Sequence, residues 1–302
     1  MAIRLRRRSS VTLAAAAMAV LGSMVLSGCA PSAPSTGSPS ENAAGETAPD
    51  APVVSALSPA SGPIAAGATV TITGERLGDV TRVTFAGVGA SGVTVVSDTE
   101  VTAVAPVAAN YAVGAEDVDV FAGDAIVAPA GVRLAYGRES VTPVDAQLAY
   151  AFAHWAPENY NLETYGEFNS VGGDCMNFVS QTLAARGIPQ TDGWYFNGKG
   201  DYSSTWIYTP SFDNYLAANP SLGFTRLSIE QRDQAEVGDL VLFSWSGVGS
   251  PDHIQVISDI RVVDGVTKIL MVGHNLDSDW RDLDTTITVD HPGAKAWFWK
   301  VP

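Results

Sequence analysis

Gly172-Gly173-Asp174-Cys175-Met176-Asn177-Phe178-Val179-Ser180-Gln181 places a lone cysteine where a loop runs into a helix, and the second half of the chain reads outward from it. The two glycines give a tight approach and keep the space above the thiol clear of side chains. Asp174 is suited to cap the helix. Met176, Val179 and Leu183 form its apolar stripe with Phe178 beside them, and Cys175 lies one turn earlier on the same side. Gly187 supplies the stop. A sulfur at a helix N-terminus feels the positive end of the helix dipole, which favours thiolate, the nucleophilic form. Most isolated cysteines are small buried apolar residues, so catalysis has to be argued from what accompanies this one.

The chain of 302 residues, 46% hydrophobic and 16% charged, has the composition of an ordinary globular protein with room for about two domains. Residues 1–28 stand apart. Arg4, Arg6, Arg7 and Arg8 precede an uncharged run from Val11 to Leu26, which reads as an export signal and not as part of a folded domain. The ending Leu26-Ser27-Gly28-Cys29 resembles the bacterial lipobox, and the resemblance implies that Cys29 is acylated and becomes the first residue of a membrane-anchored mature chain. The sequence holds two cysteines. With Cys29 carrying lipid, Cys175 has no disulfide partner in an oxidising compartment, where an unpaired thiol is a liability unless used or buried. Cysteine-rich zinc sites are excluded on the same count, and no metal or cofactor is expected. Removing the four leader arginines from 17 basic residues leaves 13 against 32 acidic ones, a balance of −19, which argues against nucleic acid as a partner.

Residues 29–51, rich in Ala, Pro, Ser, Gly, Thr and Glu without a large apolar residue, read as a flexible linker. Residues 52–137 read as a small antiparallel β-sandwich. Short Val- and Thr-rich runs, Thr69 to Thr73, Arg82 to Phe85, Gly92 to Val96, Glu100 to Val104 and Glu116 to Phe121, alternate with Gly, Pro, Asp and Ser punctuation. Leu57-Ser58-Pro59, Ser61-Gly62-Pro63, Val70-Thr71-Ile72-Thr73-Gly74, Val83-Thr84-Phe85, Ser97-Asp98-Thr99 and Pro106 resemble the immunoglobulin-like IPT/TIG domain. Leu77 stands where that family usually has an aromatic residue, and Ala66-Gly67 replaces a common Gly-Gly. The resemblance implies a spacer or binding module whose partner is not readable.

A second domain, 141–302, opens with a helix carrying Val144, Leu148, Ala151, Phe152 and Trp155, on or near whose apolar side His154 is read as a packing residue. After the cysteine helix comes the aromatic stretch Trp194, Tyr195, Phe196, Tyr202, Trp206 and Tyr208, read as a covering loop, with Trp194, Tyr195 and Trp206 as candidates to line a substrate groove. Strands follow at Leu240 to Trp245, His253 to Asp259 and Thr267 to Val272. A final hairpin is expected from Thr285 to Asp290 and Ala296 to Trp299, turning at His291-Pro292-Gly293. A helix packed on an antiparallel sheet is an α+β arrangement.

A thiol nucleophile needs a group that removes its proton and returns it to the leaving group, and histidine suits this near neutral pH. His253 opens one strand and His274 closes the next. In an antiparallel pair these ends are neighbours, so both imidazoles are expected at the thiol, His253 as base and His274 orienting it. Asn275, Asp277 or Asp252 are alternatives for the orienting role, and His291, beside a Pro-Gly turn, is expected to be exposed. The backbone N–H of Cys175 is the natural oxyanion donor, with Asp174 and Asn275 as supporting residues. The second oxyanion donor is not readable.

The motif GGDCMNFVSQ, the Trp194-Tyr195 stretch, Ser203-Ser204-Thr205-Trp206, Val237-Gly238-Asp239-Leu240, Asp252-His253 and Gly273-His274-Asn275 resemble, in order, a bacterial amidase domain of the NlpC-like and CHAP-like papain-fold superfamily. The resemblance implies Cys175 as nucleophile, His253 as general base, His274 as polar third residue, and cleavage of amide bonds through an acyl-enzyme. Met176 replaces the Thr or Ser common after the cysteine. Relatives often act on cell-wall peptides, and an exported lipoprotein has the wall within reach. A binding scaffold that does not cut, and an acyltransferase using the same thiol, are the alternatives.

Overall fold

The computed structural model describes residues 51–302 apart from 66, 132 and 172. The leader, Cys29, the linker through residue 50, Ala66 of the Ala66-Gly67 pair and Gly172 of the cysteine motif lie outside the described residues. Among those described, no helix is long and apolar enough to cross a membrane.

The N-terminal strands are β1 (Val53–Ser58), β2 (Ser61–Pro63), β3 (Thr69–Glu75), β4 (Val80–Phe85), β5 (Val88–Gly89), β6 (Ser91–Ser97), β7 (Glu100–Val104), β8 (Gly114–Ala122), β9 (Ala125–Ile126), β10 (Ala128–Pro129) and β11 (Ala135–Glu139). They form two sheets, ordered β10-β1-β3-β7-β6 and β2-β11-β8-β4-β5, with β9 on β8. All pairings are antiparallel except β1 with β10 and β11 with β2. Inward residues alternate along each strand, Val70 and Ile72, Val101 and Ala103, Val118 and Val120, and meet in one buried core, as the two-residue period of a half-buried strand requires. Leu77, in the aromatic position, is fully buried there.

The second domain opens with α1 (Pro143–His154), whose start is a capping box: Thr142 Oγ1 accepts from Asp145 N–H, and Asp145 accepts from Thr142 N–H. The other Asp145 oxygen accepts from Ala65 N–H of the β-sandwich at 2.7 Å. α2 (Cys175–Arg186) follows, buried on every side from Cys175 to Leu183. Gly187, in the left-handed region at φ 89°, ends it, and its N–H and that of Ile188 return to Ala184 and Leu183 carbonyls. A small hairpin, β12 (Phe196–Gly198) and β13 (Asp201–Tyr202), and the helices α3 (Ser204–Ile207) and α4 (Thr209–Ala218) complete that layer.

The sheet beneath comprises β14 (Thr225–Ser228), β15 (Leu240–Ser244), β16 (His253–Val263), β17 (Val266–Gly273), β18 (Ser278–Asp282) and β19 (Lys295–Lys300), ordered β14-β19-β15-β16-β17-β18 and antiparallel throughout. One face, Leu240, Leu242, Ile254, Val256 and Val272, packs under α2. The other, Val241, Phe243, Ile257 and Met271, packs against Leu283 and Ile287. Covered on both faces, β15 is buried at all five positions, which explains its uninterrupted apolar run.

The expected hairpin is corrected here. Leu283–Thr285 is helical (α5) and runs into a wide helical turn, Thr286–Asp290. Asp282 Oδ1 accepts from Thr285 N–H at 2.7 Å and starts the helix. Leu283 and Ile287, four apart, then cover the second sheet face, and that burial overrides the strand propensity of the Thr- and Val-rich run. β19 alone is a strand, and it pairs with β14 and β15.

Candidate active site

Cys175 is the first residue of α2 and Asp174 precedes it, but Asp174 does not cap the helix. Its Oδ1 accepts from Phe168 N–H (3.0 Å) and Asn177 Nδ2 (2.9 Å), and its Oδ2 accepts from His274 Nδ1 (2.6 Å). The carboxylate anchors the loop before the cysteine instead of the helix end. Asn275, at φ 62°, supports the same turn: its Oδ1 accepts from Asp174 N–H and its Nδ2 donates to Asn169 Oδ1.

His274 is buried between the Phe178 and Tyr160 rings, at 4.1 and 3.6 Å between centroids. Its Nε2 lies 2.8 Å from the carbonyl of His154. Both nitrogens are therefore engaged by groups other than the thiol. The expectation that His274 orients His253 is corrected: His274 braces Asp174, one residue from the nucleophile.

The Cys175 side chain is 7% exposed. Its sulfur lies 3.6 Å from Thr209 Oγ1, and the backbone N–H groups of Ile254 and Met176 also reach it. Burial pushes the thiol up, and the Thr209, Ile254 and Met176 hydrogen bonds oppose that rise. The helix-start argument for a depressed thiol is overtaken by desolvation. The sulfur opens into a cavity of about 220 Å³ bordered by Tyr208, Thr209 and Pro210 on one side and Ser250, Pro251 and Asp252 on the other.

His253 does not share that space. It pairs with Phe243 across β15 and β16, and its ring packs beside Phe243 and Trp245 at 6.0 and 5.5 Å. That is the sheet face opposite α2, because successive strand residues point to opposite sides and Ile254 takes the α2 side. The imidazole is 3% exposed, its Nε2 has no hydrogen-bond partner among the described residues, and burial, with Arg281 and His291, pushes it down to about 3. The expected meeting of two imidazoles at the thiol is thus not what the fold forms. His291 stacks on Trp245 at 4.0 Å and is only partly exposed. His154 tilts against Tyr150 at 4.4 Å.

The groove residues are also corrected. Trp194 and Trp206 are buried and stack at 5.0 Å. Their indole N–H groups donate to Ser180 Oγ and Asn177 Oδ1 of α2, each at 3.0 Å, so they hold the helix and line no opening. Tyr195 borders a separate polar depression with Gln190, Asp192 and Asn197. The residues that do flank the thiol, Tyr208 and Thr209, sit at the α3–α4 junction. In the sequence Tyr208 closes the aromatic stretch, and Thr209 is marked by the Thr209-Pro210 helix start.

A β-sandwich followed by a helix-borne thiol over the edge of an antiparallel sheet defines a two-domain protein with an Ig-like module and a candidate hydrolase domain. Residues 143–299 match the family model described as Putative amidase domain, and residues 52–133 match the IPT/TIG domain. The first match spans more than half of the chain, and the chain belongs to that family, hydrolases acting on amides. No curated protein matches it. Similar solved structures include an auxiliary nutrient binding protein from Bacteroides ovatus (24% identity over 30% of this chain and 20% of that one, TM-score 0.20). Another is its counterpart from Bacteroides thetaiotaomicron (21%, 31% and 20%, TM-score 0.19). The Bacteroides ovatus mixed-linkage glucan utilization locus SGBP-B, in complex with a mixed-linkage heptasaccharide, shares 12% identity over 83% of this chain and 52% of that one, TM-score 0.25. The chain spans between a fifth and about half the length of these three structures.

Proposed function

We propose that the protein is an exported, lipid-anchored cysteine amidase of papain-like type that cleaves amide bonds in the peptides of the bacterial cell wall. The observation that carries the reading is the Cys175 thiol at the start of α2, opening into a cavity and receiving N–H groups from Ile254 and Met176. The thiol proton goes to a base as the Sγ–C bond forms and the carbonyl electron pair moves to oxygen. Collapse breaks the C–N bond, the amine leaves with a proton, and water releases the acid from the acyl-enzyme.

The base in this reading is His253. Its peptide borders the thiol, since Ile254 N–H reaches the sulfur and Asp252 lines the cavity. For that role the imidazole has to turn from the Phe243 and Trp245 side of the sheet, where it is packed, to the cavity that its own peptide borders. Cys29, as the acylated residue, places the site on the outer face of the membrane facing the wall.

Incubation of the full-length protein with purified peptidoglycan, followed by mass spectrometry of released fragments, tests the reading. Fragments are expected from wild type and not from Cys175→Ala, and full activity in Cys175→Ala rejects the mechanism. His253→Ala is expected to abolish release, whereas loss in Asp252→Asn with His253→Ala active reassigns the base to the carboxylate. A non-cleaving wall binder is the second reading, favoured by the raised thiol and the turned-away imidazole. In that case wall binding persists in Cys175→Ala and no variant releases fragments. Intact mass showing an unmodified Cys29 would sink the lipid anchor.

A further inference from the structure

Amide cleavage through Cys175 needs two donors for the oxyanion, and the helix start supplies one, the Cys175 N–H, which has no intrahelical partner at that position. We infer that the Thr209 hydroxyl is the second. This rests on the cysteine amidase reading above.

Three observations converge on Thr209. Its Oγ1 is 3.6 Å from the Cys175 sulfur. The residue is 3% exposed yet borders the cavity into which the thiol opens. Its hydroxyl has no other side-chain hydrogen bond among the described residues, so its proton is free to be redirected. An oxygen on a carbon attacked by the sulfur lies two bonds from Sγ, so an oxyanion that develops on the Thr209 side of the cavity is within a hydrogen bond, about 3 Å, of the hydroxyl touching that sulfur. Thr209 also stabilises the sulfur, together with the Ile254 and Met176 N–H groups, so the oxyanion role is read from what Thr209 contributes beyond that contact.

Thr209 is also held rigidly. It is the first residue of α4, followed by Pro210, whose ring fixes φ at the helix start, and one turn on Phe212 and Asp213 are buried. Asp213 Oδ1 accepts the indole N–H groups of Trp297 (3.1 Å) and Trp299 (2.8 Å) on β19. The helix carrying the hydroxyl is thereby tied to the sheet whose Ile254 amide faces the same sulfur. A donor fixed in advance costs no reorganisation when charge develops, the condition under which it accelerates acyl transfer.

Two reactions of the same thiol separate this role from others. Acetylation by p-nitrophenyl acetate forms the S–C bond through a tetrahedral oxyanion, breaks the C–O bond to p-nitrophenolate and releases the thiol proton to buffer. Alkylation by iodoacetamide displaces iodide and forms no oxyanion. Both are read on the full-length protein by mass spectrometry of the peptide containing Cys175, with Cys175→Ala as blank and circular dichroism as the fold control. Thr209→Val is expected to slow acetylation by roughly 100-fold, the size of one lost oxyanion donor, with alkylation slowed far less, by the lost sulfur contact alone, and Thr209→Ser is expected to restore acetylation. Equal loss in both reactions would overturn the inference and make Thr209 a thiolate partner, and unchanged acetylation in Thr209→Val would overturn it outright. Wild type that alkylates but never acetylates rejects the amidase reading itself, and the inference with it.

Discussion

His253 lies neutral beside Phe243 and Trp245, held down to about 3 by burial, while an unfolded histidine titrates near 6.5. Between those values the unfolded chain binds the extra proton, so stability rises with pH through the window. The contribution is complete above about 6.5 and is lost as pH falls toward 3. Asp239 works with the opposite sign. Burial raises it to about 6, so its contribution is present below the ordinary carboxylate range and is lost as pH rises through 6. His253→Phe keeps an aromatic ring in the site and removes only the first effect. Thermal midpoints measured from pH 3 to 8 are expected to fall less steeply on the acid side for this variant than for wild type. Superimposable profiles would show that His253 does not titrate on unfolding.

At the scale of the element, α2 departs from an ordinary amphipathic helix. Asn177, Ser180, Gln181 and Thr182 are as buried as Phe178 and Val179, and each has a partner. Ser180 donates to the Trp206 carbonyl (2.9 Å) and accepts from Trp194 Nε1, Asn177 accepts from Trp206 Nε1, Gln181 accepts from Tyr150 OH (2.6 Å) and Thr182 donates to the Val179 carbonyl (2.8 Å). This is how a polar helix face survives burial. Ser180→Ala leaves the Trp194 indole N–H and the Trp206 carbonyl unpaired in the core, and the expected cost is about 1–3 kcal/mol, measured by urea denaturation. A change within error would mean that other groups re-pair them.

Over the whole molecule, the β-sandwich is built into the hydrolase domain. Ile64 and Ala108 of the sandwich belong to the same buried cluster as Cys175, Phe178 and Trp206. Tyr111, 1% exposed, packs its ring against Phe152 (4.8 Å) and Trp280 (6.1 Å) and donates its hydroxyl to the Ser258 carbonyl. Removing that ring opens a cavity at the junction. Tyr111→Ala is expected to lower unfolding free energy by about 3–5 kcal/mol and to lower the melting of both domains together in calorimetry. A low-temperature transition confined to the sandwich would show the domains to be energetically separate.

The sequence by itself determined a β-rich module followed by a second domain, most strand positions and the thiol at the start of a helix, because period-2 alternation and glycine stops act within a few residues of chain. It also pointed to Asp174, His274 and Asn275 as residues of the cysteine site, Asp174 by adjacency and the other two at the end of a strand expected beside the thiol. Tertiary structure alone decided which way the side chains face. A strand sends consecutive residues to opposite sides, so with Ile254 packed under α2, His253 was committed to the far face. Trp194 and Trp206 went inward because buried polar groups on α2 needed indole donors. The segment 283–290 became helical because Leu283 and Ile287 had a sheet face to cover. Thr209 came to the sulfur because α4 is tied through Asp213 to β19, a contact 86 residues long in sequence at Trp299 and invisible to any local pattern.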